Sequence, residues 1–145
     1  MHHFESYKEI VYPINLVKKI ILDIEDYPLF LPWCEKATIL SNNEKEIIAN
    51  LRINFRNFTE EYISRARVSE NADIILIESE AISGPFQKLN SIWTLKPKDK
   101  GTILHFSIDF QLKSKILDIV VGMVFYTATQ EMITAFEKRA QKLHM

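Results

Sequence analysis

The sequence predicts an α+β fold in which a curved antiparallel sheet of six or seven strands wraps one long C-terminal helix. Three observations lead there. Strand-like runs succeed one another from Ala37 to Leu112 with breaks too short for parallel crossovers, so sequence neighbours pair antiparallel. Ile47, Ala49, Leu51, Ile53 and Phe55 alternate with Asn50, Arg52 and Asn54, which gives the sheet one buried and one wet face. Finally, the chain from Ser114 to about Leu143 reads as one helix, about 40 Å long at roughly 1.5 Å per residue. A sheet of this size is about 30 Å wide at roughly 4.8 Å per strand, so one such helix crosses it.

The elements follow in order. His2 to Val11 has the alternation and β-branched ending of a strand, closed by Tyr12-Pro13 because proline restricts itself and the residue before it. From Ile14, the residues Val17, Ile20, Ile21 and Ile24 recur at helical spacing, with Pro13 near the first turn and Asp26-Tyr27-Pro28 as the stop. Tyr27 to Cys34, with two prolines around large apolar residues, is too proline-bound for a regular helix or strand. Strands are predicted over Ala37–Leu40, Ile47–Phe55, Phe58–Val68, Ile74–Ala81, Leu89–Leu95 and Thr102–Leu112. Turn chemistry separates them at Ser41 to Glu44, Asn57, Asn71-Ala72-Asp73, Ser83-Gly84-Pro85 and Pro97 to Gly101. No repeat or linker interrupts the 145 residues, which are expected to form one domain.

Composition narrows the function. A net charge of -1 argues against a protein that coats nucleic acid, and DNA is not an expected partner. The single cysteine, Cys34, makes no internal disulfide and fits a reducing compartment. MHHFESYKEI places acidic residues where a signal peptide would be basic and then apolar, so a cytoplasmic location is expected, extending to the inner face of the membrane. The most apolar stretch, Ile116 to Ala128, reads as too short and too interrupted by Asp118 and Gly122 to span a bilayer, so membrane contact is expected to be peripheral.

Residues for catalysis do not assemble. His2, His3, His105 and His144 lack metal-ligand spacing, and with three glycines there is no phosphate loop. His105 reads as an outward, hydrogen-bonded imidazole and Cys34 as a packing residue among apolar neighbours. Glu78 and Glu80 share a strand face, which reads as solvated. No enzyme activity, catalytic residue, metal or catalytic cofactor is expected.

The segment Tyr27-Pro28-Leu29-Phe30-Leu31-Pro32-Trp33-Cys34 resembles the signature of the coenzyme Q-binding, START-like group. The match continues through Gly84, Pro85, Phe86, Leu89, Trp93 and Pro97, and ends in Ala135-Phe136 with Arg139-Ala140. Phe58-Thr59-Glu60-Glu61-Tyr62 departs from the group by being more acidic. The resemblance implies a helix-grip fold of the START/Bet v 1 type and a bound isoprenoid quinone, a ubiquinone-like lipid, held in a carrier or chaperone role. It equally implies the group's other role, a toxin-type regulator that blocks association of ribosomal subunits, for which a basic face of Lys18, Lys19, Arg65 and Arg67 would be the sign. A cyclase-type enzyme is a third reading and needs an acid or base in the cavity.

The expected ligand site comprises Phe30, Leu31, Trp33, Phe55, Phe58, Phe86, Leu89, Trp93, Phe106, Phe110, Phe125, Met132 and Phe136, between sheet and helix. Trp93 and Leu95 share a strand face, and Gly84-Pro85 is expected to turn Phe86 inward. A solid aromatic core is the competing reading. On the C-terminal helix, Met132, Ile133, Ala135, Phe136, Ala140 and Leu143 define the core face at about 100° per residue. Continued backward, the opposite side holds Ile116, Ile119, Val120, Met123 and Val124, an expected patch for a membrane, a partner or a second copy in a homodimer. A bend at Gly122 would instead turn these residues inward.

Overall fold

The computed structural model describes residues 1–55 and 58–144. Its strands are β1 (His2–Ile10), β2 (Cys34–Asn42), β3 (Glu46–Phe55), β4 (Phe58–Asn71), β5 (Ile74–Ser83), β6 (Phe86–Lys98) and β7 (Gly101–Leu112). They form one antiparallel sheet in the order β1-β7-β6-β5-β4-β3-β2. Successive strands from β2 to β7 are neighbours, and β1 adds to β7 at the far edge, pairing His2 with Phe110 and Ile10 with Thr102. The chain passes from that edge to the other through helix α1 (Ile14–Leu22) and a 3-10 helix, Ile24–Leu29. Helix α2 (Lys115–His144) then packs against α1, β1 and β7.

Curvature has a local cause. Register slips interrupt β2–β3 near Cys34 and Ile39, β4–β5 at Ile63/Ser64, and β6–β7 between Phe86 and Lys88. An extra residue on one strand bends it and increases its twist. Between β5 and β6, Gly84 turns the chain at φ 114. A side chain there would bring its Cβ within 2.6 Å of the Tyr62 Cβ, so the turn lies directly on β4.

Several expected bounds shift. β6 begins at Phe86 rather than Leu89 and β2 at Cys34 rather than Ala37, because cross-strand hydrogen bonding continues past the point where hydrophobic alternation fades. The proline-bound segment is more regular than expected, since Pro28 lies inside the 3-10 helix. That turn needs few backbone donors: Asp26 N–H donates to Asp23 and Phe30 N–H to Tyr27, at 3.0 and 3.2 Å. The apolar part of α2 is also longer than expected, with an 18-residue window apolar enough, by length and composition, to cross a membrane.

The inner face of the sheet, α1 and the second half of α2 enclose the core. Ala49, Ile77, Leu95, Leu104 and Phe106 supply its sheet side, and Val17, Ile20 and Ile21 the α1 side. The fully buried residues of α2 begin only at Thr129: Thr129, Met132, Ile133, Phe136 and Ala140. The helix runs through Gly122 without a break.

Candidate functional site

Two adjoining cavities lie between the sheet and α2. The first, about 120 Å³, is bounded by Leu31, Trp33, Trp93, Phe106, Met132 and Phe136, with Tyr27, Tyr62, Ser64, Ser79 and Ser91 among its walls. The second, about 140 Å³, is bounded by Trp33, Phe58, Phe86, Phe110 and Phe125, and by Val121, Val124 and Ala128 of the first half of α2. Trp33, Tyr62, Leu89, Ile108 and Met132 line both, so the cavities adjoin across these side chains. Thirteen positions read from the sequence thus divide by depth. Trp93, Phe106 and Phe136 form a packed joint, with Trp93 centroid distances of 4.4 and 5.0 Å to the two phenylalanines. Phe86, Phe110 and Phe125 form a second group, Phe110 stacked on Phe125 at 5.1 Å.

Two of the thirteen stand apart. Phe30 was expected in the cavity and lies outside it, edge-on to Tyr27 and Phe136 with the Arg139 guanidinium 5.3 Å above its ring. The 3-10 helix rotates Phe30 away as it turns Leu31 inward. Phe30 thereby joins a larger groove of about 840 Å³, open to solvent and mixed in polarity, with Lys138, Arg139 and Lys142 on its rim. The side chain of Phe55 lies outside the described residues.

Outside the cavities, Ile116, Ile119, Val120 and Met123 are exposed on α2, Met123 and Ile116 at 79% and 76%. Val124, expected among them, is half-buried and faces the second cavity. One residue beyond Met123 is about 100° further round the helix, which puts Val124 on the stripe of Val121, Phe125 and Ala128. His2 seats its imidazole against Gly122 and bonds Asp118 at 3.2 Å, tying β1 to this half of α2.

Burial sets the protonation of the groups near the cavities. It pushes the Cys34 thiol up to about 11 and holds the Tyr27 and Tyr62 phenols well above their ordinary value, so all three keep their protons at neutral pH. Tyr27 donates to the Ile21 carbonyl. Ser79 and Ser91 share a hydrogen bond of 2.6 Å across β5 and β6. Glu80 also borders the first cavity and bonds Arg65 at 2.6 Å. The outer face carries His3, bonded to Asp109 at 2.8 Å, and His105, bonded to Glu5 at 2.8 Å and stacked on Tyr7. These contacts, Asp109 first for His3, raise the imidazole of His3. Tyr62, Ser64, Ser79 and Ser91 were missed at the sequence level. Their only signal was position: Tyr62, Ser64 and Ala66 alternate with Ile63 and Arg65, and polar residues on an inner face look like errors of register until the cavity is seen.

The four cations expected to mark a basic face are each paired with a carboxylate. Lys18 bonds Glu70 at 2.7 Å, Arg65 bonds Glu80, Arg67 bonds Glu46 at 3.2 Å, and Lys19 bonds Asp23.

A family model described as polyketide cyclase / dehydrase and lipid transport matches residues 10–137. A ribosome association toxin of Rickettsia prowazekii is 42% identical over 145 residues, covering 99% of each chain. A mitochondrial coenzyme Q-binding protein of Dictyostelium discoideum is 33% identical over 97% of this chain and 69% of its own. Among solved structures, a STAR-related lipid transfer protein from Xanthomonas axonopodis superposes with a TM-score of 0.87 at 13% identity, over 96% of this chain and 85% of that one, which shows the fold to be START-like.

Proposed function

Since this chain belongs to the polyketide cyclase/dehydrase and lipid transport family, we propose that it binds a polyprenyl quinone between sheet and α2 as a carrier or chaperone, and is not an enzyme. The observation that carries this reading is the pair of adjoining cavities walled by aromatic and aliphatic side chains. Their size constrains the ligand. Small-molecule sites typically span about 300–1,000 Å³; cavities of about 120 and 140 Å³ fall below that range even together, so they take a ring and at most the start of a tail. A longer tail leaves along α2. Burying about 300 Å² of tail at about 25 cal/mol per Å² contributes about 7 kcal/mol before ordering costs, enough for useful affinity.

A cyclase would need an ionisable acid or base facing the ligand. The Tyr27 and Tyr62 phenols on the walls stay protonated, and Glu80, the one carboxylate among the described residues bordering the first cavity, is paired with Arg65. The reading as a carrier therefore asks less of the residues present. A ribosome-directed regulator is the second reading, favoured by the 42% identity to the Rickettsia toxin. Pairing of Lys18, Lys19, Arg65 and Arg67 with carboxylates gives that reading less support from these four cations.

Lipid extraction from protein purified from its own host, followed by mass spectrometry, tests the proposal. A bound polyprenyl quinone is expected, together with quenching of Trp33 and Trp93 fluorescence on quinone titration. A lipid-free protein whose fluorescence ignores quinone would refute it, and sedimentation of mixed ribosomal subunits, expected to be unchanged by the protein, would then decide for or against the second reading.

A further inference from the structure

We propose that Tyr62 and the Ser79–Ser91 pair form a hydrogen-bonding end of the site that receives an acceptor oxygen of the ligand, so that the head lies deep under the second half of α2 and the apolar remainder points toward the first half. This assignment rests on the lipid-binding reading above and adds the orientation of the ligand and the residues that select its head.

The argument is one of unmet donors. Tyr62 lines both cavities, and no hydrogen bond of its hydroxyl is found among the described residues, whereas the neighbouring phenol of Tyr27 is spent on the Ile21 carbonyl. Ser79 and Ser91 hold two hydroxyl protons between them and use one in their mutual bond, which leaves the second to donate. A quinone oxygen only accepts hydrogen bonds, so it complements donors and leaves none of them idle. A pure hydrocarbon would leave the phenol desolvated and unpaired, which costs affinity.

Placement supports the same direction. Ser64, Ser79 and Ser91 border the first cavity alone, while the second offers Thr129 and the shared Tyr62 as its only hydroxyls among the described residues. Thr129 is already committed to the carbonyls of Phe125 and Tyr126. The polar end and the apolar end are therefore distinct, and α2's first half roofs the apolar one. Tyr62 is also held firmly, with the Gly84 turn on its stem and Phe86 edge-on at 5.1 Å. A phenol fixed in this way can discriminate between ligands, because a donor that the wrong ligand covers and leaves unpaired is penalised.

Tyr62→Phe removes the hydroxyl and keeps the ring. Wild type and variant would be titrated calorimetrically with a ubiquinone bearing two isoprene units and with a hydrocarbon of matched tail length, thermal melting confirming that the variant folds. The expected result is a loss of about tenfold for the quinone with no change for the hydrocarbon. The infrared carbonyl stretch of the bound quinone, lowered in the wild type, should return toward its free value in the variant. Equal losses for both ligands would mean that Tyr62 only packs, and no loss for either would mean that it makes no contact; both overturn the assignment while leaving lipid binding in place. A wild type that binds neither ligand overturns lipid binding and the assignment together.

Discussion

Cys34 opens β2 with 5% of its surface exposed, its thiol donating to the Lys36 carbonyl at 3.8 Å. Desolvation is the main cause that lifts its pKa from 9.0 to about 11, partly offset by the Lys36 backbone. A thiol that keeps its proton longer in the folded than in the unfolded chain adds stability fully present below about pH 9, and lost as pH rises toward 11. Urea unfolding across pH should therefore show the wild type losing stability over this window relative to Cys34→Ala, with no such relative change from pH 6 to 8. Alkylation of native Cys34 at neutral pH should be correspondingly slow. The buried, packed position of this residue was legible from its apolar neighbours. The role of Tyr62 was not, because a phenol's value depends on what its hydroxyl meets, and that is decided by β5 and β6 rather than by the residues beside it.

Helix α2 behaves as two elements in one. Its second half is locked by Met132, Ile133, Phe136 and Ala140, while the stretch before Thr129 has no fully buried residue and presents Ile116, Ile119, Val120 and Met123 to solvent. We read that face as the membrane contact of the carrier, since it adjoins the apolar cavity under Val121, Val124 and Phe125. Val120→Glu with Met123→Glu should sharply reduce flotation with liposomes and leave the circular dichroism and thermal midpoint near wild type, because both side chains are more than half exposed. Unfolding of the double variant, or unchanged flotation, would contradict this role. The angular pattern of α2 could be followed in the sequence through Gly122, which the structure keeps helical. Placing Val124 inward required knowing how far the helix is rolled on the sheet.

At the scale of the molecule, Trp93 is where β6, β7 and α2 meet, its indole against Phe106 and Phe136. Trp93→Ala should cost about 3 to 5 kcal/mol of stability, seen as a lower denaturant midpoint with little change in slope, and should weaken quinone binding as well. Seven strands, their antiparallel order and the covering helix were all legible, because short turns force neighbours together and alternation reveals which face is buried. The outward position of Phe30, the paired state of Arg65 and Arg67, and the inner polar set of Tyr62, Ser64, Ser79 and Ser91 were not. What the sequence by itself determined was therefore local: element type, face and chain order, all fixed by backbone sterics and hydrophobic periodicity. Only the tertiary structure decided where the core stops short of filling the space between sheet and helix, because a cavity is a mismatch between surfaces contributed by β3 to β7 and α2 that no single segment encodes.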